Sequence, residues 1–162
     1  MEKIIKINDK DILRLKIKTN EGKDTGEYLE FDLEDIELPL RLQEMMEKDS
    51  KNKKWLRDRL LIIEKKQDVK NNKLLSKNEE EKIKAINSFF NKTIEIYNMF
   101  LGANGVQKLL NGRKFGWTSL QEIDEIIEKQ IAPYIATNAE DITEKIKNKY
   151  GELINQNKEV LK

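Results

Sequence analysis

The chain has no cysteine and no histidine among its 162 residues. The first absence excludes disulfides, thiolate nucleophiles and sulfur-ligated metals together, and it favours an intracellular protein, because small secreted domains commonly depend on such cross-links. The second removes the commonest general base near neutral pH, so neither a Ser-His nor a Cys-His pair can be assembled. Only two prolines and seven glycines punctuate the chain. No run approaches the roughly 20 apolar residues of a membrane span, and Met1-Glu2-Lys3-Ile4-Ile5-Lys6 meets charge too soon for a secretory leader. A cytoplasmic protein without membrane contact is therefore expected. Net charge is lacking too, since 31 Lys and Arg stand against 30 Asp and Glu and leave +1. So weak a whole-molecule field names no partner.

What is present is charge of both signs, 38% of all residues, in a length that suits one domain with a real core. Leu13, Leu15 and Ile17 alternate with Arg14, Lys16 and Lys18, the period of a half-buried strand. Leu29, Phe31 and Leu33 alternate likewise, and residues 20–26 supply turn chemistry between the two runs. A hairpin follows, with Ile4-Ile5-Lys6-Ile7 offered as a third strand because two strands alone are marginal. From Asp35 the period turns helical. Ile36, Leu40, Leu42, Met45 and Met46 read as one stripe, Asp49-Ser50-Lys51-Asn52 as a break, and Trp55, Leu56, Leu60, Ile62 and Ile63 as a second helix that buries Trp55. Ser76 with Glu79 reads as a capping box that opens the longest and central helix, whose face holds Ile83, Ile86, Phe90, Ile94 and Tyr97, widened by Phe89, Ile96 and Phe100. Gly102 to Gly105 end it, residues 106–110 allow a short helix, and Asn111-Gly112 opens a loop. Ser119 with Glu122 starts a helix that Pro133 stops, and Thr137 with Glu140 starts the last, with Ile142, Ile146, Tyr150 and Leu153 on one face. The expected fold is α+β, mostly α: a hairpin region over 1–34 of two or three strands, packed on a helical region over 35–162 with a bundle of about five helices, all one domain.

Carboxylates are what remain for chemistry. Glu34, Asp35 and Glu37 precede one helix and Glu79, Glu80 and Glu81 open another, but acids at helix N-termini are what the helix dipole favours without any ligand. Gly102 and Gly105 follow a helix, whereas a phosphate-cradling glycine run follows a strand and opens a helix. No catalytic, cofactor-binding or metal-binding residue is assigned, and a binding protein rather than an enzyme is expected.

Binding candidates come from pattern. Residues 48–73 hold ten Lys or Arg against four Asp or Glu, after a 27–47 stretch with eight acids and one Arg. A basic helix over 51–73, carrying Lys51, Lys53, Lys54 and Arg57, would suit phosphates; pairing with the acidic segment inside the molecule is the plainer reading. Arg113-Lys114-Phe115-Gly116-Trp117 is basic and aromatic, and its rings either meet a partner or fold down to lock the loop. Met45 and Met46 are candidates for an adaptable contact surface, or plain core.

The layout carries a resemblance. A hairpin start, a Phe31-Asp32-Leu33-Glu34-Asp35 entry into a helix, a lysine-rich middle, and a helix ending in Leu101-Gly102, then Asn104-Gly105, Lys108-Leu109-Leu110 and Gly112, resemble the tail assembly chaperones of long-tailed phages and prophages of low-GC Gram-positive bacteria. That family often has Phe where Leu101 and Leu110 stand. The resemblance spans roughly residues 10–135 and implies a protein that binds the helical tape-measure protein or tail-tube subunits during virion morphogenesis in the host cytoplasm, with oligomers allowed. It would make Gly102, Gly105 and Gly112 a structural turn motif, and Met45, Met46, Phe115 and Trp117 partner contacts. Two other readings stay open: a small phage-encoded nucleic-acid-binding or inhibitory protein using helix 51–73, and a structural tail or head-completion subunit.

Overall fold

The computed structural model describes Ile4 and residues 11–160, with side chains described as far as Gly151. Residues 5–7 of the third-strand expectation lie outside that range. The fold is mostly helical behind an antiparallel hairpin of two strands, β1 (Ile12–Lys18) and β2 (Asp24–Asp32). Leu13 pairs with Phe31 and Leu15 with Leu29, so the alternation of the sequence sets the register. Gly22 at φ +83° closes the turn, where its N–H donates to the Thr19 carbonyl at 2.9 Å. Leu29 and Phe31 are buried, and Phe31 stacks on Phe100 with ring centroids 5.1 Å apart, which fastens the sheet to the helices.

Five helical segments follow: α1 (Leu38–Glu64), α2 (Lys77–Leu101), α3 (Gly105–Leu110), α4 (Trp117–Ile126) and α5 (Ala132–Val160). The break expected at residues 49–52 is absent, and α1 runs through it. Asn52 explains why. It is buried inside the helix and donates to the Phe89 carbonyl at 3.2 Å and to the Thr93 hydroxyl at 3.1 Å, so a residue that reads as a helix breaker is an inter-helix tie to α2. The α1 stripe is correspondingly shifted. Leu38, Leu42, Met45, Leu56 and Ile63 are buried, while Ile36, Leu40, Met46, Ile62 and Trp55 are exposed, so Trp55 is not core.

Half of the expected capping box forms at α2: the Ser76 hydroxyl accepts from the Glu79 N–H at 3.1 Å, while no return bond to the Glu79 carboxylate is present among the described residues. With 25 residues α2 is shorter than α1 at 27 and α5 at 29, so it is not the longest helix. Its buried line passes through Ala85, Phe89, Thr93, Ile96, Tyr97 and Phe100, with Ile83 exposed.

Gly102 ends α2 at φ +94°, where a side chain would be strained, and Asn104 at φ +60° turns the chain into α3. Asn98 holds the turn: its side-chain oxygen accepts from the Val106 N–H at 2.8 Å and its amide donates to Gln107 at 3.0 Å. Gly105 packs so close that a Cβ there would lie 2.5 Å from the Leu101 Cβ.

Two expected capping boxes are replaced by other devices. Ser119 sits inside α4 at its third position and accepts from the Gly116 N–H at 2.8 Å, while Glu122 pairs with Arg113 at 3.0 Å. Thr137 lies inside α5, where its hydroxyl donates to the Pro133 carbonyl at 3.0 Å. Pro133 does not stop the helix. A π-turn over Ile127–Ile131, closed by the Ala132 N–H donating to the Ile127 carbonyl, joins α4 to α5 just before the proline, and the widened turn accommodates a residue that cannot donate and crowds the preceding turn. Asn138 ties α5 to the end of β2 by donating to the Leu33 carbonyl at 2.8 Å. Beyond it Ile146 and Tyr150 are about half exposed.

Candidate partner-binding site

The packing of α1 beside the start of α5 leaves an open trough. Its apolar end, about 560 Å³, is lined by buried Leu42 and Ile135 with exposed Met46, and Gln43 and Glu47 stand among the exposed lining residues. Ser50, Ala132 and Ala136 are small and leave the space open. The trough continues into a second cavity of about 540 Å³ that shares Met46, Ser50 and Ala132 and ends among Asp49, Lys53, Tyr97, Asp124 and Glu128.

That polar end is a network across three helices. The Tyr97 hydroxyl donates to Asp124, and the Lys53 ammonium lies 2.8 Å from Asp49 and 3.5 Å from Asp124. Since Tyr97 gives its only proton to Asp124, the buried Asp49 Oδ1 is left without a donor among the described residues. Burial raises the Tyr97 pKa above that of a free phenol, and the Asp124 hydrogen bond adds to it. For Lys53 burial pulls the pKa down, but the Asp49 and Asp124 carboxylates outweigh it and the net shift is upward. A neutral phenol and a firmly charged ammonium make this end a fixed polar wall rather than an acid–base pair. With Asp49, Asp124 and Glu128 against one lysine, its excess charge is negative. Among the described residues no group of three or more Asp and Glu side chains is placed to hold a metal ion.

The residues singled out from sequence separate. Met46 is 58% exposed in the trough, whereas Met45 is 3% exposed and belongs to the core, touching the cavity only as part of its wall. Phe115 and Trp117 lie elsewhere and fold down: Phe115 packs edge-on to Phe90 at 5.2 Å, and Trp117 stacks on Phe89 at 5.8 Å while keeping half its surface exposed. Gly102 and Gly112 sit in backbone turns at positive φ, Gly112 at +81°, whereas Gly105 is the first residue of α3. The basic helix over 51–73 stops at Glu64. All four cations are exposed on α1, where Lys53 is paired with Asp49 and Asp124 and Arg57 lies 3.5 Å from Asp58, while Lys51 and Lys54 have no ion-pair partner among the described residues. Sequence reasoning missed Asp49, Lys53 and Asp124 as a unit. The four-residue spacing of Asp49 and Lys53 is a visible signal, but Asp124 arrives from a distant helix.

Compared with known protein families, curated proteins and solved structures, the chain matches none. Among the described residues no helix is long and apolar enough to cross a membrane.

Proposed function

We propose that the chain is a non-enzymatic chaperone of phage tail assembly, acting in the bacterial cytoplasm, that seats an amphipathic helix of the tape-measure protein in the α1–α5 trough. The observation that carries this reading is the trough itself: an apolar strip along two helices with a half-exposed methionine in it, running into a wall of negative charge. An amphipathic helix fills such a strip with residues three and four apart, and a methionine adapts to irregular partners. Glu47 and Glu128 suit a partner helix with lysine or arginine beside its apolar face. The layout of hairpin, acidic helix entry and glycine turn supports the same family. Nucleic-acid binding through residues 51–73 has less support, because Lys53 is engaged by two carboxylates and the helix ends at Glu64.

Co-expression with the tape-measure protein of its own genome, followed by size exclusion with light scattering, tests the reading. Co-elution in several copies is expected, with Met46→Asp raising the Kd read by titration tenfold or more, a change of at least about 1.4 kcal/mol. A chain that elutes alone, retains nucleic acid released by salt, or binds equally well as Met46→Asp overturns it. A chain that remains in finished particles would favour the structural-subunit reading.

A further inference from the structure

Two surface features take no part in the trough, and each is the complement of the other. The first is a pocket of about 340 Å³ between α1 and α2, with Ile96 and Met99 in its lining and Lys48, Lys51 and Lys92 around them. Met99 is 48% exposed, with the Lys48 ammonium 3.8 Å from its sulfur. Lys48 also reaches Glu44 at 2.9 Å and Lys92 reaches Glu95 at 3.2 Å, but Lys51 has no ion-pair partner among the described residues, so the rim keeps positive charge. The second feature is the junction of β2 with α1. There Ile36 is 68% and Leu40 65% exposed, with Asp32, Glu34, Asp35 and Glu37 around them in sequence. Arg41 offsets part of that charge, 2.5 Å from Asp35 and 3.9 Å from Glu37. Glu34 stands close enough to Asp11 for their hydrogen bond and mutual repulsion to raise its pKa, a sign of crowded negative charge.

We propose that these are the two halves of one contact between copies of this chain, in which Ile36 and Leu40 of one copy enter the lysine-rimmed α1–α2 pocket of the next. Each half pairs an exposed apolar anchor with excess charge, and the charges are opposite. Single-stranded nucleic acid fits the pocket less well, because Ile96 and Met99 form its apolar floor inside the lysine rim and no aromatic ring lines it for a base to stack on. The two halves are different surfaces, so the contact is heterologous and propagates head to tail instead of closing into a two-fold dimer. The patches are small beside the roughly 1,200–2,000 Å² of a stable complex, so the contact is weak and salt-sensitive in the free protein. Lining copies up on one extended partner would raise their effective concentration and strengthen it. No trough residue takes part, so the contact is tested without any tape-measure protein and stands or fails apart from the function proposed above.

Light scattering on the full-length chain, alone and over rising concentration, reads the outcome. The weight-average mass should climb above 19.1 kDa at low salt and return to it at high salt. Lys51→Glu with Lys92→Glu, and separately Glu34→Lys with Glu37→Lys, should each stay monomeric, with unchanged far-UV circular dichroism, since all four residues are exposed. Mixing the two variants should restore association, because the intact junction of one meets the intact pocket of the other. A wild-type chain monomeric at every concentration, or association that survives either charge reversal, overturns the proposal. So does a mixture of the two variants that stays monomeric.

Discussion

The apolar stripes of α2 and of α5 around Ile146 and Tyr150 follow the same helical period, yet one is core and the other is about half exposed. Along α2 the stripe meets three neighbours: Phe100 stacks on Phe31 of the hairpin, Phe89 lies against Trp117 of α4, and Asn52 of α1 bonds to the Phe89 carbonyl. Along α5 the last tie to the rest of the fold named above is the Asn138 bond to Leu33, after which Ile146 and Tyr150 stand about half exposed. Periodicity says that a helix has a face; it does not say what covers that face. Stability should therefore be concentrated around α2 and fall off along α5.

Substitutions sharpen that contrast. Phe100→Ala, at a position 4% exposed, should cost about 3–5 kcal/mol in denaturant unfolding, whereas Ile146→Ala should stay within about 0.5 kcal/mol. Equal losses at the two positions would break the comparison. Gly105→Ala comes next, since its Cβ must push Leu101 away from a 2.5 Å approach; a loss of about 1–3 kcal/mol is expected at the α2–α3 turn. Asn52→Ala removes two hydrogen bonds and leaves the Phe89 carbonyl with only the Thr93 hydroxyl, 2.8 Å away, as its side-chain donor, for a loss of about 1–2 kcal/mol.

The smallest effect is one of pH. Tyr97 and Lys53 both have pKa values raised in the fold, by burial and Asp124 for the phenol and by the carboxylates winning over burial for the amine. A raised pKa contributes stability that is fully present below the unfolded value and lost as pH climbs towards the folded one. Unfolding free energy should thus be flat near neutrality and decline above about pH 10. Tyr97→Phe should flatten part of that alkaline decline in pH-dependent denaturation, and an unaltered slope would remove Tyr97 from the account.

Features local in sequence were the legible ones. Alternation at Leu13, Leu15, Leu29 and Phe31 gave the hairpin, and Ser76 with Gly102 bounded α2. What misled was chemistry whose partner lies far along the chain, as with Asn52, and local patterns that fit more than one backbone conformation, as with Pro133, Ser119 and Thr137. Asn52 reads as a breaker until Phe89 and Thr93 receive it, and Pro133 reads as a stop until the π-turn before it is seen. Ser119 and Thr137 fit an N-cap pattern, but each bonds to backbone from within its own helix. Of the trough, Met46 could be picked out. Its other side comes from Ala132 and Ile135, more than eighty residues later, and no spacing announces that.

Hydrogen–deuterium exchange of the chain with and without the tape-measure protein tests the trough most directly. Slowed exchange is expected over residues 39–50 of α1 and 132–142 of α5, with the α2–α3 turn unchanged. Protection that avoids those segments and falls instead around Phe115 and Trp117, or along residues 51–64, would contradict the account.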